Sequence, residues 1–245
     1  MWGAVAQPNT KIIPLPQRAP TKSPAEARIR LRPHLIFALL VTISLVLTAA
    51  DLITLGLDEA FGSVRLREAF NVDEEQSIPT WFSSIQLFAA HLLLVLIAWL
   101  ESHRRSRHAG FWWLLAAILL ILSVDEVVGF HENGSLVLKT LGIGGDWVIM
   151  GAVVAAGVGA VFIPFLLALP RRIAALFICA GVLLLAGALG VEVWDLSILD
   201  EEKTFMLGLV PATEEFLERL GISVFILGLL IYMREHLGLK GLAMK

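Results

Sequence analysis

The sequence has one cysteine and one tyrosine, and only 17% of its 245 residues are charged. A single thiol, Cys179, cannot form an internal disulfide or a four-cysteine metal site, so it reads as a packing residue. No H-E-x-x-H zinc-protease motif occurs, the nearest stretch being H-E-N-G-S at His131. There is also no E-x-x-H pair of the kind a ferritin-like di-metal bundle repeats on two helices. Histidine is scarce at membrane depth: only His91 and His131 qualify, while His34, His103, His108 and His236 fall at the cytoplasmic side of the chain's layout, which makes a bis-histidine haem hard to build. His91 reads as a hydrogen-bonded core residue.

What the chain has in abundance is apolar residues, 57% of the total, with a mean hydropathy of +0.79. Stretches long enough to cross a hydrocarbon core, which takes roughly 20 residues, recur six times: about 35–57, 78–100, 110–130, 147–169, 173–196 and 212–233. The connections between them are short. The expected fold is therefore all-α, a polytopic membrane protein built as one bundle of six transmembrane helices over residues 34–236. Residues 1–33 hold Pro8, Pro14, Pro16, Pro20, Pro24 and Pro33 and are expected to form an extended or disordered cytoplasmic tail that offers at most a docking strand. Residues 237–245 form a second short tail. The N-terminus lacks the apolar h-region and cleavage site of a signal peptide.

Basic residues are unevenly placed. The first tail (Lys11, Arg18, Lys22, Arg28, Arg30, Arg32), Arg104, Arg105, Arg107, Arg171, Arg172, and the second tail (Arg234, Lys240, Lys245) all fall on one side. The other side holds only Arg65, Arg67, Lys139 and Lys203 among many acids. The positive-inside rule then predicts a bacterial-type inner (plasma) membrane protein with both termini cytoplasmic. Trp81, Trp147 and Trp194 are expected to mark the outer boundary, and Trp99, Trp112 and Trp113 the inner one.

In that layout four spans bring ionisable groups to one depth near the outer face. The first contributes Asp51, beyond Ser44 and Thr48 on one polar stripe. The third ends in SVDEVVGFHENG with Asp125, Glu126, His131 and Glu132. The fifth ends with Glu192, and the sixth opens with TEEFLERLG, which supplies Glu214, Glu215, Glu218 and Arg219. Some of these have a plain structural reading. Glu214 and Glu215 fit a first helical turn capped by Thr213, Asp146 fits the start of the fourth span, and Glu215 with Arg219 has the favourable i, i+4 order of an ion pair. Asp125, Glu126 and Glu192 sit at helix C-terminal ends, where the dipole disfavours negative charge. Asp125 and Glu132 share a helical face, while Glu126 and His131 point elsewhere unless Gly129 breaks the helix.

Carboxylates with one imidazole suit a hard or borderline divalent metal ion, and equally a proton relay; the ion's identity does not follow. The expected site is therefore Asp125, Glu126, His131, Glu132, Glu192, Glu214 and Glu218, supported by Asp51, Glu215 and Arg219. Asp125, Glu132, Glu192 and one of Glu214 or Glu218 are expected to converge in one pocket, with a cation, a proton or Arg219 as counter-charge. Partners expected are the lipid bilayer and a homo-oligomer or larger membrane complex; nothing points to nucleic acid.

Three resemblances follow from these motifs. EEFLER is similar to the E-E-x-x-x-R motif of Abi or CAAX-type intramembrane proteases, which would imply that Glu214 and Glu215 activate water with downstream histidines; the F-x-x-x-H and later His/Asn motifs are absent. GIGGD is similar to the G-x-G-D of presenilin-like proteases, but residue 143 is Ile and no Tyr-Asp partner exists, so that reading is rejected. The spread of L-S-x-D-E, H-E, G-x-E and E-E-x-x-E over residues 76–232 resembles uncharacterised multi-pass bacterial membrane proteins and implies no activity. The functions left standing are a small membrane enzyme or ion-handling protein centred on the acidic cluster and a non-catalytic accessory subunit of a larger complex. A secondary transporter is weaker, since neither an internal repeat nor matched broken helices occur.

Overall fold

A computed structural model describes residues 28–62, 64–74, 76–129, 147–191, 204–239 and 241–243. The chain is an all-α polytopic bundle in which six helices are long and apolar enough to cross a membrane. They are α1 (Pro33–Phe61), α3 (Ile78–His103), α4 (Ala109–Val128), α5 (Trp147–Ala168), α6 (Arg171–Leu185, whose span continues to Leu189 through a π-helical turn) and α7 (Thr204–Glu235). A short helix, α2 (Val64–Phe70), follows α1 outside the spans. Strand β1 (Arg28–Arg30) pairs antiparallel with β2 (Gly241–Ala243), so the two ends of the chain meet at one end of the bundle. An even number of spans requires this. We call it the terminal end, and the opposite one the distal end.

Local signals fix the helix limits. Pro33 opens α1, where a missing N–H costs nothing, and Gly62 closes it at φ 67°, a left-handed conformation that favours glycine. Ser77 caps α3 by accepting from the Thr80 N–H at 3.3 Å. Gly129 does break the helix: at φ 62° it ends α4, its N–H donating to the Asp125 carbonyl at 2.7 Å.

Helix α7 is the hub. It packs against α1, α3 and α6, while α4 leans on α3, and α5 packs on α6 and, through Phe162 and Phe165, on Phe111 and Trp112 of α4. Glycines let the hub approach α6 closely: a Cβ on Gly221 would stand 2.9 Å from the Ala180 carbonyl, and one on Gly228 would stand 2.8 Å from the Phe177 ring. At the terminal end, Trp112 is buried against Phe165, Phe177 and Tyr232. It is therefore a core residue rather than a membrane-boundary one, whereas Trp113 beside it is exposed. Neighbouring positions on a helix point about 100° apart, so only one of the two can face lipid.

A second correction concerns α7. It begins at Thr204 and runs through Pro211, so Glu214 and Glu215 do not occupy a first turn and Thr213 is not a cap. The Thr213 hydroxyl instead donates to the Leu209 carbonyl at 2.7 Å. Proline removes one helical donor, and a helix of 32 residues bears that loss.

Candidate functional site

The polar centre is assembled around Arg219, which is completely buried in α7. Its Nη1 donates to Glu215 Oε2 at 3.0 Å, one turn back, and its Nη2 donates to Thr48 Oγ1 of α1 at 3.2 Å. Glu126 of α4, Glu218 of α7 and Asp51 of α1 complete its electrostatic surroundings. Burial of a guanidinium is tolerable only with such compensation.

Neighbouring helices extend the network. Glu126 lies beside the Ser83 side chain of α3. The Gln86 amide donates to Ser223 Oγ at 2.8 Å, and Ser223 Oγ in turn donates to the Arg219 carbonyl at 2.8 Å. Ser83, Gln86 and Ser223 are all buried. From the far side α6 contributes no charge among its described residues. Its end is π-helical over Ala186–Val191, and there a Cβ on Gly187 would stand 2.8 Å from both the Glu214 carbonyl and Glu218 Cγ. Such π turns recur at functional sites.

Asp51 lies one turn beyond Thr48 on α1 and is completely buried. Arg67 of α2 bonds its Oδ1 directly and also donates to its backbone carbonyl at 3.2 Å. The Val72 N–H donates to the same Oδ1 at 3.2 Å. Asp51 Oδ2, Gln86 Oε1 and Arg219 Nε are buried without a hydrogen-bond partner within the protein, and all three belong to this centre.

Glu126, Glu215 and Glu218 gather around Arg219 with Asp51, and Glu214 lies on the same helix at the Gly187 contact. Of the adjacent acids in α4, Glu126 is the one that reaches Ser83 and Arg219, with Asp125 acting on it electrostatically. His131, Glu132 and Glu192 lie outside the described residues. Among the described residues no group of three His, Cys, Asp or Glu side chains is arranged to hold a metal ion. Away from the centre, His91 is indeed hydrogen-bonded, its Nδ1 being 2.8 Å from the Ala116 carbonyl.

Sequence reasoning passed over Arg67, Ser83, Gln86 and Ser223. For Gln86 the signal was present, since a lone amide in an apolar span needs a partner inside the bundle. For Arg67 it was not, because sixteen positions and a loop separate it from Asp51.

No curated protein and no solved structure matches the chain. Residues 35–233, which include all six spans and every residue of the centre, match one family, and the chain belongs to it: the family described as Domain of unknown function (DUF8692).

Proposed function

We propose that this membrane protein is an ion-handling protein or small membrane enzyme whose working centre binds a cation, either a proton or a divalent metal ion, at the extracytoplasmic face. One observation carries the reading: four carboxylates, Asp51, Glu126, Glu215 and Glu218, lie around Arg219, and Arg67 is a second guanidinium, bonded to Asp51. Acids outnumber arginines two to one in this centre, where Asp51 and Arg219 are completely buried. Like charges so placed need relief, and a bound cation or proton supplies it. The basic residues clustered at the terminal end support a cytoplasmic location for the tails and an extracytoplasmic one for the centre.

The role of each residue follows from its contacts. Arg219 is the fixed internal counter-charge, Glu215 its permanent partner, and Glu126 and Glu218 the acids left to meet a ligand. His131, Glu132 and Glu192 are the groups that the sequence adds to a metal-binding version of the site. Elemental analysis of the purified, detergent-solubilised protein, with titration of manganese and zinc into the apo-protein, tests the proposal. Stoichiometric metal, or proton uptake that disappears in Glu126→Gln, is the expected outcome. A protein that takes up neither would refute it.

The accessory-subunit reading is favoured by a different observation. Helix α5 leaves Val153, Val154, Val158 and Val161 exposed, and Gly157 and Gly159 have nothing within 4 Å of where a Cβ would stand. Small residues of this kind are where membrane helices approach one another. A homo-oligomer or a stably co-purifying membrane subunit would support that reading. The protease reading gains nothing, because Glu215, one half of its acid pair, is bonded to Arg219.

A further inference from the structure

Asp51 stands between two arginines. Arg67 reaches it from α2, a helix of seven residues outside the spans, and Arg219 lies within electrostatic range on the hub helix. The two contacts are unequal: Arg67 and the Val72 N–H both engage Oδ1, while Oδ2 has no partner. Arg219 mirrors this, with Nη1 and Nη2 occupied and Nε without a partner. A buried acceptor and a buried donor are thus both unsatisfied in one centre, which native interiors rarely allow.

The segment that carries Arg67 is lightly held. Arg65, Leu66 and Glu68 are exposed, and its fixed points are the Arg67 contacts, the Arg67–Asn71 bond at 2.6 Å, and Val72, which is buried with its N–H on Asp51. A short helix with exposed residues, resting on α1 and α3 and tied down by a polar anchor, is an element that can open locally without unfolding the bundle.

We propose that residues 64–72 form a strap over the distal mouth of the centre, latched by Arg67 onto Asp51, and that unlatching transfers Asp51 to Arg219. In the latched state Arg67 neutralises Asp51 and closes the mouth. In the released state Oδ2 accepts from Arg219 Nε, so that Asp51 keeps a counter-charge while Glu126 and Glu218 become reachable from the distal side. Arg219 keeps its bonds to Glu215 and Thr48 throughout. The strap and its latch require no assumption about which ion the centre binds.

The test turns on a sign. In the full-length protein, Arg67→Gln breaks the latch. If Asp51 then pairs with Arg219, adding Asp51→Asn removes a working ion pair and lowers Tm further. If Asp51 stays where it is, Arg67→Gln leaves it a buried, orphaned anion, and adding Asp51→Asn relieves that charge and raises Tm or leaves it unchanged. The expected result is the further loss; a rise or no change overturns the proposal. Should Arg67→Gln fail to fold, the same pair of measurements on Arg67→Met, which also removes the charge and keeps an unbranched side chain, carries the same two signs. A double-mutant cycle between Asp51→Asn and Arg219→Lys gives an independent reading. Coupling that grows once Arg67 is replaced agrees with the transfer, and coupling that is unchanged or smaller overturns it.

Discussion

Thr48 and Arg219 are 171 positions apart in sequence and 3.2 Å apart in space, joining the first span to the last through a guanidinium that has no contact with solvent. That bond sets the depth at which α1 meets the hub, and with the Glu215 pair it satisfies both terminal nitrogens of a buried cation. Arg219→Ala is therefore expected to cost about 3 to 5 kcal/mol, the penalty for stranding a buried partner charge. Thr48→Val, which removes one neutral acceptor, is expected to cost about 1 kcal/mol. Reversible unfolding in detergent compares the two, and an Arg219→Ala protein as stable as the parent would show that the guanidinium is not the counter-charge of the centre.

Glycines in the spans separate into two groups with opposite expectations. At Gly221 a methyl group would meet the Ala180 carbonyl at 2.9 Å and the Leu184 nitrogen at 3.0 Å, both backbone atoms that cannot step aside. Gly221→Ala is expected to push α7 away from α6 and cost roughly 1 to 3 kcal/mol. Gly157, with nothing within 4 Å, is the control: alanine there is expected to be neutral or to gain up to about 1 kcal/mol from helix propensity. If Gly157→Ala were the damaging change in the intact membrane, α5 would have to be packed against another chain.

The adjacent tryptophans make a similar pair. Trp112 is enclosed by Phe165, Phe177 and Tyr232, and its loss leaves a cavity at the terminal end of the core, expected to cost about 3 to 5 kcal/mol in Trp112→Ala. Trp113 is exposed, with its indole N–H donating to Ser102 Oγ at 3.1 Å, and Trp113→Ala is expected to cost about 1 kcal/mol. Equal effects on Tm would contradict this division.

How far these features could be read in advance depended on their range along the chain. Apolar runs are local, so the six spans were legible, and so was the Glu215–Arg219 pair, which needs only the i, i+4 spacing. The start of α7 was misread because proline is a helix breaker by default, whereas a long helix carries Pro211 at its third turn. Helix α2 has too few residues for any periodicity to show, and its Arg67 meets Asp51 only because Gly62 turns the chain back. The choice of Glu126 over Asp125 as the acid that meets Arg219 depends on the rotation of α4, which packing against α3 decides. Ser84 and Ser123, which exchange hydrogen bonds with each other's backbone, hold that rotation.

That rotation leads to the last expectation. Glu126 and Asp125 are neighbours with the same charge at the end of one helix, and Glu126 lies beside Ser83 and within electrostatic range of Arg219. With no cation bound, Glu126 adds to an excess of negative charge near Glu215 and Glu218, so Glu126→Gln keeps the shape, relieves repulsion and is expected to raise Tm in the presence of a chelator. The same change removes an anionic ligand, so the gain in Tm that manganese or zinc gives the parent protein is expected to shrink, because stabilisation by a ligand scales with the logarithm of its affinity. Asp125→Asn is expected to do less on both counts. Thermal unfolding of the parent and the two variants, each with and without added metal, measures all of this together. A Glu126→Gln protein that is less stable than its parent and responds to metal as the parent does would show that Glu126 is a satisfied structural acid, and the candidate ligands would then be Glu214 and Glu218.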